Sequence, residues 1–127
     1  MSMSVEQFLS LSDAEQLQTI KDLNDIGQEE IIIDVLTGVG IDNLSVPLLG
    51  ELGRAYNNND KPEEAIKVFK TIDTEHRDAV WHYRCAYSHS SIASTNHEAY
   101  TSENMQQMLA LVDNGVRLAT KEGRNDI

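Results

Sequence analysis

Apolar side chains recur along this chain at spacings of three and four, the period of α-helices that bury one face. The clearest stretch is 49–72, LGELGRAYNNNDKPEEAIKVFKTI. Leu49, Leu52 and Tyr56 share one helical face, and Ala65, Phe69 and Ile72 share another further on. Gly53 removes a side chain where a neighbouring helix must come close. Between the two faces, Asn57-Asn58-Asn59-Asp60 breaks the period, because Asn and Asp side chains compete with the helical backbone. Asp60 with Glu63 is expected to form a capping box, with Pro62 in the first turn of the second helix. The pattern predicts a helical hairpin that cannot bury both stripes alone and needs neighbours on either side.

The same periodicity places elements before and after it. Ser12 and Glu15 form a capping-box signature ahead of an apolar face at Leu17, Ile20 and Leu23, with Val5, Phe8, Leu9 and Leu11 as a short lead-in helix. Gly27 ends that element, and Ile31, Ile32, Val35 and Leu36 define the next, from Gln28 to Val39. The three consecutive isoleucines also suit a buried strand, but the helical spacing beyond them decides for helix. Ser45 is placed to cap the central hairpin with Pro47 in its first turn. After a polar connector at 73–76, a third segment runs over 77–92, RDAVWHYRCAYSHSSI. A last helix, starting at Ser102 and Glu103 and running to about Ala119, is expected to bury Met105, Met108, Leu109, Val112, Val116 and Leu118. The Ser/Thr/Asn-rich stretch 93–103 reads as a loop or frayed extension, and the tail beyond as disordered. The fold class expected is all-α with about six helices in one domain.

The central hairpin resembles a tetratricopeptide repeat, a helix-turn-helix unit of 34 residues. Leu49, Leu52, Gly53 and Tyr56 match that family's first helix, with Leu where Trp is commonest, and Ala65 and Phe69 match its second. The resemblance covers roughly 46–118 and implies an α-solenoid of stacked antiparallel helix pairs. Residues 12–39 would be a degenerate pair: counting back 34 residues from Ala65 and Phe69 lands on Ile31 and Val35, but the first helix of that unit does not keep the register. Residues 46–76 would be the best-kept repeat. Residues 77–119 would be a second one, with His82, Cys85, Ala86 and His89 at the patterned places and an insert at 93–103. Met108, Val112 and Gly115 would stand where Ala65, Phe69 and Ile72 do. Residues 120–127 would be tail.

The resemblance also implies a concave groove lined by the first helices of successive repeats, holding a peptide or partner helix. Its lining here would be Gly50, Arg54, Asn57 and Asn58 from one repeat and Tyr83, Tyr87 and Ser90 from the next. The partner-binding residues expected are therefore Arg54, Asn57, Asn58, Tyr83, Tyr87 and Ser90. The chaperone-tail-binding subclass clamps a carboxylate with Lys and Asn, and Gly50 and Arg54 stand at those places instead.

Charge sharpens this picture. The formal net charge is −11, and it is unevenly spread: residues 1–64 hold 13 acidic and 3 basic side chains, residues 65–127 hold 8 and 7. Such a field disfavours nucleic acid and anionic membranes and favours a basic protein or peptide partner. No stretch has the apolar length of a membrane span, the start MSMSVEQF carries no leader pattern, and the single cysteine, Cys85, fits a reducing compartment. A cytoplasmic protein is expected.

The chemistry search is largely negative: the sequence contains no Gly-rich phosphate loop, no Ser-nucleophile elbow and no CxxC pair. His82, Cys85 and His89 could line one helical face as zinc ligands, but ligands spread over two turns are hard to bring around one ion. The register also buries Cys85, which argues against a nucleophile. No cofactor is expected. The reading is a non-enzymatic protein–protein interaction module. The alternatives are an immunity or antitoxin-like inhibitor whose acidic half covers a basic toxin such as a nuclease, and a metal protein or enzyme using His82, Cys85 and His89.

Overall fold

The computed structural model describes residues 2–95 and 102–123. Over these residues the chain is all-helical, with seven α-helices and no strand among the described residues. They are α1 (Val5–Leu9), α2 (Asp13–Asp25), α3 (Glu29–Val39), α4 (Val46–Asn58), α5 (Pro62–Lys70), α6 (Ala79–Thr95) and α7 (Ser102–Glu122). Short 3₁₀ turns at Ile41–Asn43 and Thr74–His76 lead into α4 and α6. The isoleucine run 31–33 is helical, so the strand alternative falls.

Local chemistry accounts for most of the helix starts. Ser12 and Glu15 make a reciprocal capping box on α2, with the Glu15 backbone N–H donating to Ser12 Oγ at 3.2 Å and the Ser12 N–H to Glu15 Oε1 at 3.0 Å. Ser4 and Gln7 do the same on α1. On α4, Ser45 Oγ accepts from the Leu48 N–H, with Pro47 in the first turn. The expected Asp60–Glu63 box does not form. Asp60 instead takes a left-handed conformation (φ 57°), which Asp tolerates better than most residues, and Lys61 occupies the cap position of α5 without a side-chain bond. The turn needs that backbone kink, and the kink carries the Asp60 carboxylate away from the cap position.

Each helix packs on the one after it along the series α2–α3–α4–α5–α6–α7, while α2, α4 and α6 also touch in succession. One core runs through the described chain. Ile20, Ile32, Leu36, Leu52, Ala65 and Phe69 are fully buried, joined by Phe8 from α1 and Trp81 from α6. The α4–α5 crossing is close because Gly53 lacks a side chain: a Cβ there would run into the Phe69 ring. Trp81 closes the joint between α5 and α6. Its indole N–H donates to the Phe69 carbonyl at 2.9 Å, its ring meets Phe69 edge-on, and the Arg77 guanidinium lies 4.5 Å from its ring centre.

The C-terminal helices depart from the expected pattern. Helix α6 runs to Thr95 and α7 begins at Ser102, so the insert contributes helix at both ends; residues 96–101 lie outside those described. Helix α7 also continues through Lys121 and Glu122, where tail was expected, and residues 124–127 lie outside those described. Gly115 and Ala119 are buried against α6, but Leu109, Val112 and Val116, expected in the core, are exposed. The apolar arc of α7 is wider than the surface α6 offers to cover it. None of the described helices is long and apolar enough to cross a membrane.

Candidate interaction surface

Helices α2, α4 and α6 present side chains to a common trough, and the sequence explains which ones. On α4, Gly50, Arg54 and Asn57–Asn58 recur on the side away from Leu49, Leu52 and the α5 contact. On α6, Tyr83 and Tyr87 sit one turn apart and are each about half exposed. A cavity of about 180 Å³ is lined by Arg54, Asn57, Asn58, Tyr83, Arg84 and Tyr87. Five of the six expected partner-binding residues therefore meet at one concavity. Ser90 is exposed one turn beyond Tyr87 and does not line it.

A second cavity, about 430 Å³, adjoins it through Arg84. Leu17 and Lys21 of α2, Val46 and Pro47 of α4, and Val80 and Trp81 of α6 contribute to its walls. Sequence reasoning did not single out Arg84 or this apolar end. Their signal was the alternation of helices along the chain, since residues at the start of α4 and α6 must face α2 if the three lie side by side.

The floor is a buried charge network. Glu51 is 4% exposed, and its two carboxylate oxygens are held by different arginines: Oε1 by Arg54 at 3.3 Å and Oε2 by Arg84 at 3.1 Å. Arg54 also reaches Asp25 of α2 at 3.1 Å, and Arg84 donates to the Gly50 carbonyl at 3.1 Å. Asn24 Nδ2 donates both to the Glu51 carbonyl and to its Oε1, each at 3.1 Å. Three helices are thus tied through one carboxylate, and the arginines neutralise a charge that burial alone would make costly.

Asn57 has a different role from its neighbour. It is buried, donating to the Arg84 carbonyl at 3.1 Å and accepting from the fully buried Ser88 Oγ at 2.7 Å. Its side chain fastens α4 to α6 beneath the cavity, whereas Asn58 is exposed at the rim. Arg54, Asn58, Tyr83 and Tyr87 are the lining side chains with surface to offer.

The histidine–cysteine constellation does not assemble. Cys85 is buried, and burial pushes its thiol up to about 11, so it remains protonated rather than poised as a thiolate. His82 Nδ1 lies 2.8 Å from the Asp78 carbonyl within its own helix, and burial with the Lys70 charge lowers His89 below the usual histidine range. Among the described residues, ligand atoms converge only at Asp73, Glu75 and His76, three exposed side chains at and just before the 3₁₀ turn that precedes α6. Comparison of the chain with protein-family models, curated proteins and solved structures returns no match.

Proposed function

We propose that this chain is a non-enzymatic protein-interaction module, a tetratricopeptide-like solenoid of stacked helix pairs that takes a protein partner along α2, α4 and α6. The observation that carries the reading is the cavity gathering Arg54, Asn58, Tyr83 and Tyr87 over a rigid Glu51–Arg84 floor. Tyrosines and arginines give large contact area for few ordered torsions, and a pre-formed floor spares the entropy of arranging them on binding. Cys85 kept protonated is a further reason to favour binding over nucleophilic chemistry.

The test is site-specific photocrosslinking in cells. A photoreactive residue at Asn58 is expected to capture a discrete protein, the same residue at exposed Lys67 on α5 is not, and Arg54→Glu is expected to suppress the adduct. Identical adducts from both positions, or none from Asn58, would overturn the proposal.

The acidic half of the chain favours one variant of this reading, an immunity-type inhibitor that covers a basic toxin. That variant predicts an association rate falling steeply between low and physiological salt, since steering by −10 charge is screened beyond roughly 8–10 Å. A rate flat across salt would remove it.

A further inference from the structure

We infer that the cavity between Arg54 and Arg84 takes an acidic side chain of the partner, an inference that rests on the interaction reading above. The chain holds 21 acidic and 10 basic side chains, yet no carboxylate lines this cavity. Its walls are the guanidiniums of Arg54 and Arg84, the amides of Asn57 and Asn58, and the phenols of Tyr83 and Tyr87. The carboxylates that hold the arginines lie elsewhere: Glu51 is buried in the floor, and Asp25 stands on α2. Guanidinium therefore fronts the cavity, with carboxylate behind it.

Hydrogen-bonding capacity points the same way. Arg54 spends Nη1 on Glu51 and Nη2 on Asp25. Arg84 spends Nη1 on the Gly50 carbonyl and Nη2 on Glu51. In both, the Nε–H and one hydrogen of each terminal nitrogen make no bond among the described residues, and a guanidinium can only donate. The Asn58 amide and the Tyr83 and Tyr87 hydroxyls are likewise unbonded there, whereas Asn57 is spent on the Arg84 carbonyl and Ser88. A group that only accepts completes this set. A carboxylate does so through charge-assisted bonds, stronger than those of a neutral carbonyl.

Charge also decides which anion fits. Arg54, Arg84, Glu51 and Asp25 cancel, so the attraction acts at hydrogen-bond range. Beyond that range stands the net −11 of the chain, screened over about 8–10 Å. A phosphate, at about −1.5 to −2, opposes that field more than a singly charged carboxylate does. The half-exposed rings of Tyr83 and Tyr87 offer faces to the methylene stem of a glutamate, and about 180 Å³ has room for one such side chain.

The probe is a heptapeptide with one central glutamate between leucines, acetylated and amidated so that this side chain is its only carboxylate. The control peptide carries glutamine at that place. Each is titrated into isotope-labelled protein at about 0.15 M salt and followed by NMR. The glutamate peptide is expected to shift the Asn58, Tyr83 and Tyr87 amide signals with about fivefold tighter affinity or more. Asn58 is exposed at the rim, so Asn58→Asp adds a like charge without touching the core. That variant is expected to erase the difference while the glutamine peptide binds as before. Equal affinity of the two peptides would overturn the inference, as would a preference that survives Asn58→Asp. No shift from either peptide at millimolar concentration would overturn it as well. So would tighter binding by a glutamine peptide with a free C-terminal carboxylate, which would assign the site to a chain end. If a photoreactive residue at position 58 still captures a protein in any of these cases, the interaction reading stands and this assignment alone falls.

Discussion

The hairpins α4–α5 and α6–α7 share an antiparallel plan but treat their apolar arcs differently. In the first, each arc is covered: Leu49 and Leu52 lie under neighbouring helices, Ala65 and Phe69 are fully enclosed, and Gly53 lets the Phe69 ring come within van der Waals reach of backbone. In the second, Gly115 and Ala119 make an equally close crossing, yet Leu109, Val112 and Val116 remain in solvent. A helix with neighbours on both sides spends its whole arc on the core. One covered on a single side leaves part of its arc exposed. The contrast separates residues that hold this protein together from apolar residues left in solvent.

That separation can be broken by substitution. Leu52→Ala, at a fully enclosed site, is expected to cost about 2–5 kcal/mol in chemical denaturation. A loss under about 1 kcal/mol would show that the hairpin is loosely packed. Alkaline pH probes the joint between the two hairpins through Cys85. Its folded value, about 11, lies above the ordinary thiol value near 8.5, so its stabilisation is complete below about pH 8.5 and lost as pH rises through about 11. The loss should amount to about 3 kcal/mol, and Cys85→Ala should flatten that part of the profile. Glu51→Ala leaves two arginines facing a buried gap. Because both are partly exposed, about 2 kcal/mol is expected rather than the ~3–5 kcal/mol of a fully buried pair. Val112→Asp, on the exposed row, should change stability by less than about 0.5 kcal/mol. A large loss there would show that the row is core after all and erase the contrast between the hairpins.

The parts of this fold legible in the sequence are those fixed by local periodicity. Ser12, Ser45 and Pro47 mark helix starts because their chemistry acts within one turn, and Leu52, Ala65 and Phe69 repeat at a spacing only a buried helical face requires. The Asp60 cap failed for a non-local reason: where the chain must reverse sharply, backbone conformation takes precedence over a side-chain bond. Asn57 carries no mark in the sequence that separates it from Asn58. Only the position of Ser88 and of the Arg84 carbonyl, 31 and 27 residues away, decides that one is buried and the other exposed. Arg84 was missed for the same cause, since its partners lie on α4. The α7 stripe was read as buried because periodicity reports that a face is apolar without reporting what covers it.

Trp81 is the only tryptophan in the chain, and it sits where the two hairpins join. Its emission is therefore a single-site gauge of whether α6 stays seated on α5, with the His82 ring packed edge-on at 4.8 Å between centroids. If the α6–α7 pair parts from the rest before global unfolding, the indole will redden while most of the far-ultraviolet signal persists. The protein thus carries its own optical label for the order in which its two halves come apart.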